Sequence, residues 1–285
     1  MAYNQAREPC TPRAARPARK ETRAVTTIND LLRWKSEGRR FPMLTAYDFA
    51  TAQILDEAGI PVLLVGDSVA NNVLGYETTL PVSMDEMLHH ARAVSRGAKD
   101  ALLVGDMPFL SYQASNEEAI RNAGRYLKEG GMHAVKIEGP RFELSEALVE
   151  IGIPVMGHLG LTPQSVHAMG GYRVQAKTEE AADKLLASAL QLDKSGIFSL
   201  VLEGIPSEVA RRVTESINVP TIGIGAGPHC DGQVLVINDM LGIGGGKYPK
   251  FVKPYANLRE EMTRAVKAFA EDVESGTFPD QDHSY

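Results

Sequence analysis

The chain of 285 residues is 44% hydrophobic and 23% charged, an ordinary composition for a soluble globular protein of one large domain or two modest ones. Its net charge of −6 argues against nucleic acid as a partner, and the absence of any run of about 18 apolar residues argues against a membrane span. Two cysteines, Cys10 and Cys230, do not suggest a structural disulfide, so a reducing, cytoplasmic setting is expected.

The first stretch, "MAYNQAREPCTPRAARPARKETRA", is rich in Arg, Ala and Pro and has no apolar period or secretory core. Residues 1–24 therefore read as a disordered extension, and a transit peptide or anion-binding arm are the sharper readings of the same composition. From Phe41 a rhythm begins. "FPMLTAYD" precedes the helical "FATAQILDEAG"; "PVLLVGDS" precedes "SMDEMLHHARAVSRGA"; "ALLVGDMPF" precedes "NEEAIRNAGRYLKEGG". "AVKIEG" precedes "FELSEALVEIG", "IPVMGHLG" precedes "EEAADKLLASALQLDKSG", "FSLVLEGI" precedes "SEVARRVTESIN", and "VPTIGIGAG" follows. Strands alternating with helices give βαβ units and a parallel sheet. The runs are continuously apolar, as in strands buried on both faces.

An eighth strand is less distinct, because "VLVI" in "GQVLVINDMLGI" reads equally as helix. A last helix is expected in "NLREEMTRAVKAFAEDVES", and "ESGTFPDQDHSY" reads as a loose tail. Eight βα units in about 250 residues predict an α/β fold of the (β/α)₈ TIM-barrel type, one domain over residues 25–285. A doubly wound open sheet is the alternative, but its Gly-x-Gly-x-x-Gly fingerprint is missing after the first strand.

In such a barrel the chemistry sits where strands end. The second run ends in Asp67-Ser68, the third in Asp106 and the sixth in Glu203; the fourth carries Lys136 and Glu138, and the fifth carries His158. An isolated acid after a strand is more often a cap or surface residue. Four acids closing different runs form a pattern. Crowded carboxylates raise one another's pKa, and a divalent cation relieves them. Oxygen donors without a Cys/His cluster suit a hard ion, and Mg²⁺ leaves coordination positions open for water or substrate. Asp67, Asp106 and Glu138, from adjacent strands, are the expected ligands. Lys136 and Glu138 are two apart and share one side of their strand. His158 beside them is a candidate substrate ligand.

Other motifs fail. "GIGGGK", residues 242–247, has Leu241 where the first Walker glycine belongs and Tyr248 in place of Ser/Thr. "GIGAG" from Gly223 is not a dinucleotide pattern; its glycines suit a tight turn or close backbone approach. No Gly-x-Ser-x-Gly elbow occurs, and Cys230 has no evident partner base.

Together, "LTAYD", "LLVGDS", "TTLPVSMDEM", "VKIEG", "GHLGLTPQSV", "GGYRVQ", "IGIGAG", "CDGQVLV" and "FPDQDHSY" resemble the ketopantoate hydroxymethyltransferase family, from about Thr27 to Tyr285. The resemblance implies a barrel like those of the phosphoenolpyruvate/isocitrate lyases and a decameric, Mg²⁺-dependent enzyme. That enzyme would move a one-carbon unit from 5,10-methylenetetrahydrofolate to 3-methyl-2-oxobutanoate, giving ketopantoate and tetrahydrofolate on the route to pantothenate and coenzyme A. By the same resemblance Asp67, Asp106 and Glu138 match the metal site. Ser68, Lys136 and His158 match ketoacid-pocket positions, alongside Asp67 and Asp106. Glu203 matches the proton acceptor. The chain departs from the pattern at Gly105, where Ala is common, in "IEGPRF" and in "VQAKT". Two other readings remain: a Mg²⁺-dependent C–C or C–P lyase of the related barrels, and a non-catalytic oxoacid-binding barrel. The Lys-Lys-Cys-Gly-His-type loop of such lyases is absent.

Overall fold

The computed structural model describes residues 25–246 and 248–285; the expected extension over 1–24 lies outside them. Eight parallel strands close a barrel in the order β1 to β8. They are β1 (Phe41–Thr45), β2 (Val62–Val65), β3 (Leu102–Asp106), β4 (Ala134–Glu138), β5 (Val155–Gly160), β6 (Ser199–Glu203), β7 (Thr221–Ile224) and β8 (Gly232–Leu235). The helices are α1 (Ile28–Ser36), α2 (Phe49–Glu57), α3 (Val69–Asn72), α4 (Met84–Gly97) and α5 (Asn116–Lys128). They continue with α6 (Phe142–Glu150), α7 (Glu179–Lys194), α8 (Ser207–Ser216), α9 (Ile237–Met240) and α10 (Leu258–Ser275). Local chemistry sets their starts: Thr27, Asp48, Ser83, Ser115 and Thr178 each accept a backbone N–H as the helix begins.

Period-two alternation divides each strand between two cores. Leu63, Val65, Leu103, Val135, Ile137, Val155, Leu200 and Leu202 pack outward against the helices. Met43, Val62, Leu64, Leu102, Val104, Ala134, Met156, Val201, Ile222 and Val234 fill the interior. Leu31 and Trp34 of α1 join that inner core from below, with the Trp34 and Phe41 rings 5.7 Å apart. The barrel floor is thus plugged.

Three elements differ from expectation. The ambiguous "VLVI" divides: Val234 and Leu235 belong to β8, while Ile237 starts α9. α1 precedes the first strand, where no helix was expected; it forms because Thr27 and Asp30 make a reciprocal capping box and Leu31 and Trp34 find the barrel floor. The tail expected from Glu274 begins later. Glu274 and Ser275 continue α10, Gly276 ends it in the left-handed region (φ 73°), and Phe278 folds its ring back to 5.6 Å from Phe269.

Candidate active site

The six strand-end side chains singled out in the sequence, with Ser68, line one cavity of about 360 Å³ at the C-terminal end of the barrel. Strand register brings them there. Asp106 lies beside Lys136, Glu138 beside His158, and Gly160 beside Glu203, so each step around the barrel delivers the next polar group. Gly160 has φ 96°, and a Cβ there would collide with the Glu203 carbonyl; β5 and β6 close together at this height because glycine stands there. Gly105, the departure from the family pattern, has a structural reason as well. A Cβ there would stand 2.5 Å from the Tyr126 ring, whose hydroxyl donates to the Asp106 carbonyl.

Asp67, Asp106, Lys136, Glu138 and His158 are each no more than 5% exposed. Glu203 keeps 16% of its side chain open and stands at the rim. The Lys136 ammonium is 2.8 Å from Asp106 Oδ1 and 3.9 Å from Glu138 Oε1. His158 turns Nδ1 toward Lys136 at 3.2 Å and Glu138 Oε1 at 3.5 Å, and Nε2 toward Glu203 Oε2 at 3.2 Å. The Asp67 backbone N–H donates to Asp106 Oδ2 at 3.1 Å. Ser68 Oγ is 2.9 Å from the Tyr47 hydroxyl.

This crowd of charges is out of balance. Burial, then the charges of Asp106 and Glu138, hold the Asp67 carboxyl well above its usual range. Burial raises Asp106 too, although Lys136 opposes it. Burial pulls Lys136 down, but Asp106, Glu138 and Asp67 outweigh it and raise the ammonium. Burial also raises Glu138, but His158 and Lys136 outweigh it and the net direction is down. Burial and Lys136 oppose the charge on His158, yet Glu138 and Glu203 lift it to about 9. A charged His158 points an N–H at the Lys136 ammonium, a repulsion that Glu138 and Glu203 offset.

Hard oxygen donors and acids raised by burial have the chemistry of a divalent-cation site, although Asp106 Oδ1 already faces the Lys136 ammonium. The side chains do not converge on one: among the described residues no three of His, Cys, Asp and Glu are placed to hold a metal ion. Glu138 Oε1 instead faces Lys136 and His158.

The sequence reading missed Gln164, Tyr112 and Asp239. Gln164 follows β5, is 5% exposed and contacts two of the acids. Tyr112 hydrogen-bonds both Gln164 and the Glu138 backbone. Asp239 of α9 lines the cavity, and burial raises its carboxyl. A neutral side chain in a loop carries no periodicity or charge pattern, so nothing in the sequence marked the first two. Of the rejected motifs, "GIGAG" reaches the cavity only through Ile224 among the described residues. Cys230 is buried away from the cavity, its thiol raised by burial. Gly225 and Gly227 take positive φ, where a Cβ would meet Phe251 and Ser207.

The family model described as ketopantoate hydroxymethyltransferase matches residues 25–281. The chain is 58% identical over 254 residues to the 3-methyl-2-oxobutanoate hydroxymethyltransferase of Syntrophus aciditrophicus (strain SB), covering 88% of this chain and 93% of that one. It is 54% identical to the enzyme of the same name from Syntrophomonas wolfei subsp. wolfei, covering 92% and 96%. Among solved structures, phosphonopyruvate hydrolase aligns with TM-score 0.58 at 13% identity over 90% of both chains. 2,3-Dimethylmalate lyase, of the PEP mutase/isocitrate lyase superfamily, aligns with TM-score 0.57 at 18% identity over 91% and 92%. These two likenesses speak for the barrel fold alone.

Proposed function

The chain belongs to the ketopantoate hydroxymethyltransferase family, and we propose that its cavity binds 3-methyl-2-oxobutanoate with Mg²⁺ and takes a proton from the substrate's C3 carbon. That step prepares the ketoacid for hydroxymethylation, the first step of pantothenate biosynthesis. One observation carries the reading: two buried carboxylates, Asp106 and Glu138, flank one ammonium with Asp67 bonded to Asp106 beside them, while a fourth, Glu203, stands apart at the rim.

Asp67, Asp106 and Glu138 would hold the cation, and when bound there it would supply Lewis-acid polarisation of the oxoacid carbonyl. Lys136, kept cationic by its neighbours, stabilises the negative charge that grows on the carbonyl oxygen as C3 loses its proton. Ser68, at the end of β2, offers a hydroxyl to the ketoacid. Glu203 is the base: β6 stands opposite β2 in the closed barrel, across from Asp67, and among the described residues only His158 stands against it as a cationic side chain. His158 orients Glu203 through Nε2 and lines the ketoacid pocket. The resulting enolate carbon bonds to the one-carbon unit of 5,10-methylenetetrahydrofolate, the co-substrate the resemblance implies; the bonds from that carbon to the folate nitrogens break, water supplies the hydroxyl, and tetrahydrofolate leaves.

A homo-oligomer, a decamer by the same resemblance, is part of the proposal. Its support is α10, whose Met262, Val266, Phe269 and Val273 are 48–67% exposed at helical spacing, an apolar stripe without cover in one chain. The proposed setting is the cytoplasm; among the described residues no helix is long and apolar enough to cross a membrane.

The test is proton NMR of 3-methyl-2-oxobutanoate in D₂O with Mg²⁺ and no folate. Exchange at C3 that stops on adding a chelator is expected. A metal-independent rate, or no exchange in an enzyme that turns over with folate, would overturn the proposed chemistry. Turnover of a phosphonate or a 2-alkylmalate in the same assay would instead favour the lyase reading.

A further inference from the structure

We infer that Asp239 holds the pterin ring of the folate co-substrate, its carboxylate accepting from the N3–H and the 2-amino group at one edge of that ring. The assignment rests on the folate reading above and gives a place to the reactant that reading leaves without one.

The cavity has two unlike arcs. From β2 round to β6 its wall is charged, from Asp67 through Lys136 to Glu203. From β7 through β8 to β1 the strands contribute Ile224, Val234 and Thr45, with Val236 following β8. Beyond the end of β8, Asp239 of α9 is the one charged side chain of this second arc among the described residues. Glu77, an acid of the loop after α3, also lines the cavity, but it is exposed and keeps its water.

Asp239 is held still and left free. Ile237, the first residue of α9, is buried, and its backbone N–H donates to the Thr45 hydroxyl at 2.9 Å. Asn238 Nδ2 donates to the Asn72 carbonyl of α3 at 3.3 Å. The Tyr255 N–H donates to the Met240 carbonyl at 2.8 Å. The residues on either side of Asp239 are thus pinned to β1, to α3 and to the segment before α10. Among the described residues its own carboxylate accepts no hydrogen bond and meets no cation, and burial alone raises it. A half-buried acid without a partner costs free energy that a ligand's donors can recover. Because its backbone is already fixed, little remains to be ordered on binding.

The reactants decide what can donate. 3-Methyl-2-oxobutanoate carries a carboxylate and a carbonyl; both are acceptors, and neither offers Asp239 a proton. Its negative charge is drawn toward Lys136 and repelled by Asp239. A tetrahydropterin is the opposite kind of ligand. It presents an N–H and an amine side by side, matched to the two oxygens of one carboxylate, on a flat and largely apolar ring. The second arc offers apolar side chains and one carboxylate to receive it. The two reactants then occupy opposite arcs of one cavity of about 360 Å³, and the one-carbon unit meets the ketoacid C3 between them.

The experiment is isothermal titration calorimetry of the full chain under nitrogen, with 3-methyl-2-oxobutanoate present. The probes are tetrahydrofolate and 2-desaminotetrahydrofolate, which lacks the amine. The parent should prefer tetrahydrofolate by about 10–100-fold, the scale of hydrogen bonds to a charged group. Asp239→Asn keeps the shape but turns one acceptor into a donor. Its affinity for tetrahydrofolate should fall by about 10–100-fold and its preference between the probes to within about threefold, with circular dichroism like the parent. If Asp239→Asn keeps the parental affinity and preference, the assignment is overturned and the folate reading stands. A parent that binds both probes equally overturns it too. If the variant instead weakens ketopantoate and not tetrahydrofolate, the acid serves the new hydroxyl and the assignment is again overturned. A parent that binds no tetrahydrofolate removes the folate reading itself. Should Asp239→Asn fail to fold, Asp239→Ser is read in the same way.

Discussion

At the floor of the barrel, Leu31 and Trp34 of α1 join Phe41, Met43 and Phe198 in one apolar cluster whose side chains are nearly sealed from solvent. A few residues further along the same strands, at the mouth, Asp67, Asp106, Lys136, Glu138 and His158 are sealed just as completely. Burial is equal at the two ends and its consequence is opposite. At the floor it removes apolar area from water, at about 25 cal/mol per Å² in favour of folding. At the mouth it strips water from charges that only partly satisfy one another, which costs free energy unless another charge arrives. The floor can thus carry stability for a mouth organised for chemistry.

The strongest way to break this comparison is to empty the mouth. Asp67→Ala and Asp106→Ala should each reduce Mg²⁺-dependent turnover to background while circular dichroism stays parental, since neither side chain supports the floor. If both variants turned over like the parent with Mg²⁺, the acids would be structural and the contrast between the ends would dissolve.

Glu203→Gln is next. It keeps the shape at the rim and removes the basicity, so C3 exchange in D₂O should fall by roughly 10²-fold or more, the scale of a positioned general base. Ketoacid binding, measured by calorimetry with Mg²⁺, should remain. Near-parental exchange would pass the role to His158 or to a bound water.

A change of pH sharpens the contrast without mutation. Asp67 and Asp106 are raised in the fold, and His158 is raised from 6.5 to about 9. A raised group binds its proton more tightly when folded, so its contribution is present at low pH and lost as pH rises through the folded value. Lowered Glu138 and raised Lys136 act outside that window. Chelated protein should therefore lose thermal stability steadily between about pH 6.5 and 9, and Mg²⁺ should flatten the loss. Parallel Tm–pH curves with and without Mg²⁺ would contradict the electrostatic account of the mouth.

The smallest effect on turnover is expected at the floor. Leu31→Ala should cost about 2–5 kcal/mol in a denaturant titration, while kcat per folded molecule stays parental. A matching fall in kcat would show that the two ends are coupled.

Much of this was legible in the chain. Continuous apolar runs such as "LLVG" and "LVLEG", each followed by a helical pattern, read as strands covered on both faces, and a polar residue closing each run then lies at one end of the barrel. Asp67, Asp106, Lys136, Glu138, His158 and Glu203 were found in this way, because strand ends are a matter of local sequence. The short β8 stayed ambiguous because a few apolar residues suit a strand or a helical turn, and neighbours on both sides decide which. α1 escaped because its amphipathic face has meaning only once a barrel floor exists to receive it. Gln164 and Tyr112 were invisible for a related reason: a neutral amide or a phenol gains its role from partners 26–97 residues away in the chain. The sequence by itself determined which strand-end carboxylates would exist at the mouth, since strand alternation is local physics. Only the tertiary structure decided how they face one another, because register, burial and hydrogen-bond direction are properties of groups that the chain keeps far apart until it folds.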